Sequence, residues 1–187
     1  MSTVSSIEGE DTEIRSNAVV NAAGLQSNIV AGMAGVDTVK ADYKISLVKG
    51  EYFRVSRVPA HFMKLLVYPP PGELGLGIHT VLDLRGGLKL GPNSFHTDTL
   101  SYGVDETHVN EFYDAVKDIL PFIKLENLSP DMAGIRPKRN TAPGKYPDFV
   151  IREESDKGLP GFIDLIGMES PGLTASLAIG RYVSSLV

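Results

Sequence analysis

The spacing of apolar positions changes along the chain, and each change marks an element. Ile14 to Val20 is a run that ends in Asn21-Ala22-Ala23-Gly24, after which Leu25, Ile29 and Met33 recur at helical spacing. This predicts a strand, a turn of small residues and a helix ended by Gly32 and Gly35. Ahead of it, Ser2 to Ile7 and the polar Glu8-Gly9-Glu10-Asp11 read as a strand and turn that open a hairpin-like pair. Residues 44–55 form a β-rich run with a bend or bulge at Gly50, and Leu65 to Tyr68 form a short strand stopped by Pro69-Pro70-Pro71. Leu76 to Leu84 and Leu88 to Leu90 flank Arg85-Gly86-Gly87 and predict a hairpin. Asp105 can cap a helix whose apolar face is Val109, Phe112, Tyr113, Val116, Ile119 and Leu120, stopped by Pro121. Strands at 148–152 and 161–167 precede a last helix, with Ser170 as N-cap, Pro171 in the first turn and Leu173, Leu177, Ile179, Tyr182, Val183 and Leu186 along it. The fold class is α+β: an antiparallel sheet in the middle, with Rossmann-like pieces at both ends.

Composition narrows the function classes. The 187 residues suit one domain or two small ones, and 42% hydrophobic with 22% charged residues is globular composition. With 18 Lys and Arg against 23 Asp and Glu, net −5, there is no general electrostatic case for nucleic acid. No apolar run approaches the ~18–20 residues of a membrane span. The absence of cysteine excludes a disulfide framework and a thiolate metal site. His61, His79, His96 and His108 lack metal-ligand spacing, so no metal site is expected. Met1 to Gly9 carries neither a signal-peptide pattern nor the arginines of a transit peptide.

Four segments carry candidate chemistry, each with a plainer alternative. Small residues at 21–24, at the end of a strand, let a ligand or another backbone approach closely; the plainer reading is a tight strand-to-helix turn. Gly167 to Thr174 places a helix N-terminus after a strand, where free N–H groups favour an electron-rich group; an ordinary capped helix also fits. Arg136 can hold a carboxylate through its two-pronged guanidinium, or join Lys138 and Arg139 as solvated surface cations. His79 faces away from Ile78 if the strand alternates, as a general base or as a structural histidine. Glycine fingerprints of the Gly-x-Gly-x-x-Gly and phosphate-loop kinds are absent, as is Gly-x-Ser-x-Gly.

Eight blocks occur together in order: Val-Val-Asn-Ala-Ala-Gly-Leu at 19–25, Lys-Gly-Glu-Tyr-Phe at 49–53, Tyr-Pro-Pro-Pro at 68–71, Leu-Gly-Ile-His-Thr at 76–80, Leu-Gly-Pro-Asn at 90–93, Ala-Gly-Ile-Arg-Pro-Lys at 133–138, Asp-Phe-Val-Ile at 148–151 and Gly-Met-Glu-Ser-Pro-Gly-Leu-Thr at 167–174. The series resembles the FAD-dependent D-amino-acid-oxidase-like oxidoreductases, most closely their L-2-hydroxyglutarate dehydrogenase/oxidase branch. The resemblance implies a partial FAD-binding domain at 1–40, a substrate-binding domain at 41–132 and a return to the FAD-binding domain at 133–187. It implies FAD contacts at Asn21, Ala22, Ala23 and Gly24 and at Glu169, Ser170, Gly172, Leu173 and Thr174. It further implies a substrate carboxylate on Arg136, His79 as the base, and Lys49 and Tyr52 lining the same cavity. The expected reaction is oxidation of L-2-hydroxyglutarate to 2-oxoglutarate by hydride transfer to flavin. The alternatives are a non-catalytic truncated module, or a relative acting on another small acid, an amino acid or glycerol phosphate. Family members carry their glycine fingerprint in a preceding half. The chain is therefore expected to be a carboxyl-terminal half, cytoplasmic or mitochondrial, that pairs with a separate amino-terminal FAD-binding half. Alone it is expected to self-associate and to bind no flavin tightly.

Overall fold

The computed structural model describes residues 2–7, 10–69, 77–140 and 148–187, with side chains from residue 13 onward. The expected strand ends at Pro70, Pro71 and Leu76 lie outside the described residues. The chain divides into two units, Met1–Ser46 with Pro137–Val187, and Leu47–Arg136. Both boundaries fall inside long strands, several residues beyond the 40/41 and 132/133 divisions read from the sequence.

In the first unit β1 (Ser2–Ile7) and β2 (Glu10–Arg15) form an antiparallel pair. A second sheet centres on β10 (Leu159–Ile166), which runs parallel to β3 (Val19–Asn21) and antiparallel to β9 (Val150–Glu154). The expected single run from Ile14 to Val20 is thus split between β2 and β3. Helix α1 (Ser27–Met33) follows a 3-10 turn at Gly24–Gln26 and buries Ala31 with Val36, Tyr43, Phe162 and Ile166. Helix α3 (Gly172–Ser184) buries none of its residues. Its N-cap is Pro171 and has no side-chain cap bond, so the expected cap at Ser170 does not form.

The second unit holds a sheet in the order β5-β6-β4-β7, with β8 also paired to β4. The strands are β4 (Ile45–Val55), β5 (His79–Leu82), β6 (Leu88–Gly91), β7 (Phe95–Thr97) and β8 (Leu128–Arg139). The β5–β6 hairpin matches the sequence pattern, and Asp83 closes it by accepting from the Arg85 and Gly87 amides at 2.8 Å each. Leu65 to Tyr68 is not a strand, although the Thr80 amide donates to the Val67 carbonyl at 3.0 Å. Asp105 does cap: its side chain accepts from Thr107 N at 2.9 Å at the start of a 3-10 turn (Glu106–His108) that runs into α2 (Val109–Val116). The helix ends at Val116 rather than at Pro121, yet Leu120 and Ile123 still reach the core beside Phe53, Leu88, Leu90 and Phe112. The Phe53 and Phe112 rings lie 4.5 Å apart and tilted at 42°.

Candidate functional site

The first group of candidate residues lies in the second unit, on one face of its sheet. Side chains alternate along a strand, so Tyr52 and Arg54 point to one face of β4 while Glu51, Phe53 and Val55 point into the core. The antiparallel register pairs Arg54 with Lys89, Phe53 with Leu90 and His79 with Gly91. One step further, Tyr52 falls opposite Gly91, and the three strands present His79, Gly91 and Tyr52 as a single cross-strand row. Gly91 has φ +138, and a Cβ there would come within 2.8 Å of the Tyr52 ring and 2.6 Å of the Glu51 carbonyl. Only glycine fits, because the Tyr52 ring and the Glu51 carbonyl already fill the space a side chain would take.

His79 is oriented from two directions. Its ring stacks on Tyr68 with centroids 4.3 Å apart. Its Nδ1 lies 3.0 Å from the Gly77 carbonyl. A carbonyl can only accept, so Nδ1 carries a proton, and Nε2 is the ring atom turned away from that contact. Arg136, on β8, donates from Nη2 to the Ser94 hydroxyl at 2.9 Å. Its charge also reaches Tyr52: burial pushes the Tyr52 phenol up, while Arg136 and Lys89 pull it the other way. The structure therefore brings His79, Tyr52 and Arg136 together and adds Tyr68, Gly91 and Ser94, which sequence reasoning did not name. Register arithmetic on the Leu-Gly-Pro-Asn block could have found Gly91.

Lys49 is turned the other way. Its ammonium pairs with Glu51 at 2.9 Å and donates to the Gly103 carbonyl, on the core side of the sheet. Glu51 is fully buried and is also bound by His108 Nδ1 at 2.7 Å and the Asp105 amide at 3.2 Å. Burial pushes its carboxyl up, but His108, Lys49 and the Asp105 amide outweigh that and hold it low. Glu51 in turn raises His108. Of the other basic candidates, Arg139 is held by the Asp148 carbonyl at 3.1 Å and by Asp42, while Lys138 is exposed.

The second group lies in the first unit. A cleft of about 370 Å³ opens beside β3, β10 and α3, lined by Val20, Ala22, Gly24, Leu165, Met168 and Gly172 together with Leu173 and one side of α3. Gly24 sits at φ +56 with open space where a Cβ would be. Asn21, between the lining residues Val20 and Ala22, is buried: it donates to the Ser27 carbonyl at 2.7 Å and to Asp164 Oδ1 at 2.6 Å, and accepts from the Ala23 amide at 3.3 Å. Ala23, Glu169, Ser170 and Thr174 are not among the lining residues. Asp164 is fully buried, and its carboxyl is pushed up to about 6 by burial, against the Asn21 hydrogen bond and with added push from Glu154. Glu154 is itself buried and bound by Tyr43 and Lys157.

The described residues hold no group of acidic or histidine side chains able to bind a metal ion, and no helix among them is long and apolar enough to cross a membrane. The model of the FAD dependent oxidoreductase family matches residues 2–186, and the chain belongs to that family. Among individual proteins it is similar to the mitochondrial L-2-hydroxyglutarate dehydrogenase of Arabidopsis thaliana, at 36% identity over 92% of this chain and 38% of the plant protein. The L-2-hydroxyglutarate dehydrogenase of Indibacter alkaliphilus is 28% identical over 97% of this chain and 53% of that protein. The chain thus spans about half or less of the length of these curated relatives. In fold it is similar to the FAD-bound L-α-glycerophosphate oxidase of Mycoplasma pneumoniae, with TM-score 0.71, 24% identity, and coverage of 90% of this chain and 42% of that one.

The first-unit cleft suits part of the family's cofactor. Its volume falls in the ordinary range for small-molecule pockets, and its walls are small and aliphatic, as a flat ring needs. The start of α3 adds backbone N–H groups without a side-chain cap to meet polar ring edges.

Proposed function

We propose that the 47–136 unit binds L-2-hydroxyglutarate for oxidation to 2-oxoglutarate, and that the first-unit cleft holds part of FAD. The observation that carries this reading is the cross-strand row of His79, Gly91 and Tyr52, with His79 Nδ1 against the Gly77 carbonyl and Arg136 adjacent. Arg136 takes the carboxylate next to the carbinol through two parallel hydrogen bonds. Tyr52 donates to the same end of the substrate, so the carbinol carbon lies between Tyr52 and His79. His79 Nε2 accepts the hydroxyl proton, and Tyr68 keeps its ring from turning away. FAD, when bound, supplies the two-electron acceptor for the carbinol hydrogen. In the first unit Val20, Ala22, Gly24, Met168 and Gly172 pack against the cofactor, and the Leu173 and Thr174 amides face its polar edge.

The test is a pair of substitutions in the enzyme reconstituted from this chain, an amino-terminal FAD-binding half and flavin. His79→Gln is expected to lower turnover about 100-fold or more with flavin content unchanged, because glutamine cannot take up the proton. Arg136→Lys is expected to weaken substrate binding far more than Lys138→Ala, since the guanidinium fork is lost in the first case only. Turnover within about threefold of the parent for His79→Gln, or equal small effects of the two cation changes, removes the residue concerned from the site.

A further inference from the structure

The face that carries the His79–Gly91–Tyr52 row carries a second row two residues along each strand. There Arg54 lies directly opposite Lys89, and Lys89 opposite Val81. Asp131, from β8, joins the two cations: Arg54 Nε donates to its Oδ1 at 3.0 Å, and Lys89 pairs with its Oδ2. The Asp131 and Lys89 side chains are only 7% and 17% exposed, whereas the Arg54 side chain is 62% exposed. Asp131 is a buried anchor for both cations, and Asp83 at the β5–β6 turn is a second, exposed carboxylate within their electrostatic reach, so the mostly exposed Arg54 is the cation most open to a ligand.

Arg136 lies beyond the other end of the Tyr52 row. Its partner Ser94 follows Gly91-Pro92-Asn93, a stretch that runs back toward Gly50: a Cβ on Gly50 would meet Pro92 at 2.8 Å and the Asn93 carbonyl at 3.1 Å. Along β4 the order is therefore Ser94 with Arg136, then Tyr52, then Arg54 with Lys89. A positive charge sits on each side of an uncharged row.

We propose that Lys89 and Arg54, held by Asp131, form the subsite for the distal carboxylate of a dicarboxylic 2-hydroxy acid whose other carboxylate lies on Arg136. The inference rests on the substrate reading above and deepens it. Two residues along a strand span roughly 6.6–6.8 Å. The terminal carbons of a five-carbon diacid lie about 5 Å apart when its bonds of ~1.5 Å are extended. With the carbinol beside Tyr52, the far carboxylate comes within hydrogen-bond reach of the second row. A monocarboxylic acid leaves that row unused. A phosphate monoester has one anionic end and cannot engage both charges with its carbinol between them.

The test is binding of small acids to the full 187-residue chain by calorimetry, with circular dichroism checking that each variant is folded. The probes are L-2-hydroxyglutarate, L-lactate and sn-glycerol 3-phosphate. The parent is expected to prefer L-2-hydroxyglutarate over both others. Lys89→Met is expected to weaken it about tenfold or more while leaving L-lactate unchanged. Arg54→Gln alters a mostly exposed side chain and is expected to move the preference in the same direction, which keeps the test decisive should Lys89→Met unfold. Arg136→Lys is expected to weaken both acids, and so reports on the underlying site independently. If the ratio of L-2-hydroxyglutarate to L-lactate affinity stays within twofold in both second-row variants while Arg136→Lys weakens both acids, the subsite is wrong and the substrate reading stands. Tighter binding of sn-glycerol 3-phosphate than of the diacid overturns the subsite. Binding of no probe by the folded parent overturns both.

Discussion

In the 47–136 unit the buried acid, Glu51, meets a lysine, a histidine and a backbone amide and stays ionised. In the other unit the buried acid Asp164 meets one amide group, from Asn21, and its Oδ2 has no donor in reach. The helices differ in the same way. Helix α2 sinks Phe112 and Val116 into a closed core, while α3 leaves Leu173 at 90% and Leu177 at 85% exposure. At this acid and this helix the unit assigned to the substrate supplies its own partners, although Leu65 and Leu84 stay exposed elsewhere in it. The unit assigned to the cofactor keeps an apolar helix and an unsatisfied carboxyl close to the residues that line its cleft.

The largest expected contrast is between the two helices. Phe112→Ala removes a fully buried ring packed at a tilt against Phe53 and is expected to cost about 3–5 kcal/mol in urea unfolding. Leu177→Ala is expected to stay within about 0.5 kcal/mol, because its side chain is already in water. Comparable losses at the two positions would mean that α3 is covered in solution.

Glu51→Gln is next, at about 3 kcal/mol, since it leaves Lys49 buried without its counter-charge. It should also flatten the pH profile of stability. Glu51 has its carboxyl lowered by folding, so its contribution is present above the ordinary value of 4.5 and is lost as pH falls below it. His108 is raised, so its contribution is full below 6.5 and is lost as pH rises through the folded value. The parent should therefore lose stability toward both ends, and the variant should lose both slopes. A parent profile that stays flat on both sides would show the pair to be unformed.

Much of this organisation was legible in the sequence, and the failures have physical reasons. Strand alternation placed His79 opposite Ile78, and the Asp105 cap could be read from residue type alone. Lys49 was grouped with Tyr52 because both stand in one block, yet three residues along a strand reverse the face. Strand β8 has no counterpart in the sequence pattern, since Pro130, Gly134 and Pro137 interrupt it; its pairing with β4 carries it. In α2 the apolar spacing identified Leu120 as a core residue without fixing where the helix ends. The Ser170 cap failed because the residue type suited a start two positions ahead of Gly172, where the helix begins. Glu51 and Asp164 could not be foreseen, since their partners come from distant parts of the chain.

Asp164→Asn tests the opposite sign. The folded carboxyl at about 6 lies above the ordinary 3.8, so the folded state holds the extra proton and loses stability as pH rises between those values. Asparagine keeps an acceptor for Asn21 and offers a donor toward Glu154 without a charge. The variant is expected to gain roughly 1–3 kcal/mol relative to the parent at pH 7 and nothing at pH 4. An equal change at both pH values would show that Asp164 is not protonated by folding.

The smallest contrast is between the two helix starts. Asp105 accepts from Thr107 N at 2.9 Å and from the Thr107 hydroxyl at 2.7 Å, which satisfies one of the amides that lack a partner within the first turn. Asp105→Ala is expected to cost about 1 kcal/mol, with the loss seen in thermal unfolding. Ser170 makes no cap bond to α3, so Ser170→Ala is expected to change stability by less than about 0.5 kcal/mol. The same change should also leave the cleft intact, because Ser170 is not among its lining residues. A Ser170→Ala loss as large as that of Asp105→Ala would mean that the serine does cap α3 in solution. The helix start would then have its own internal partner, and the amides assigned to the cofactor would already be engaged.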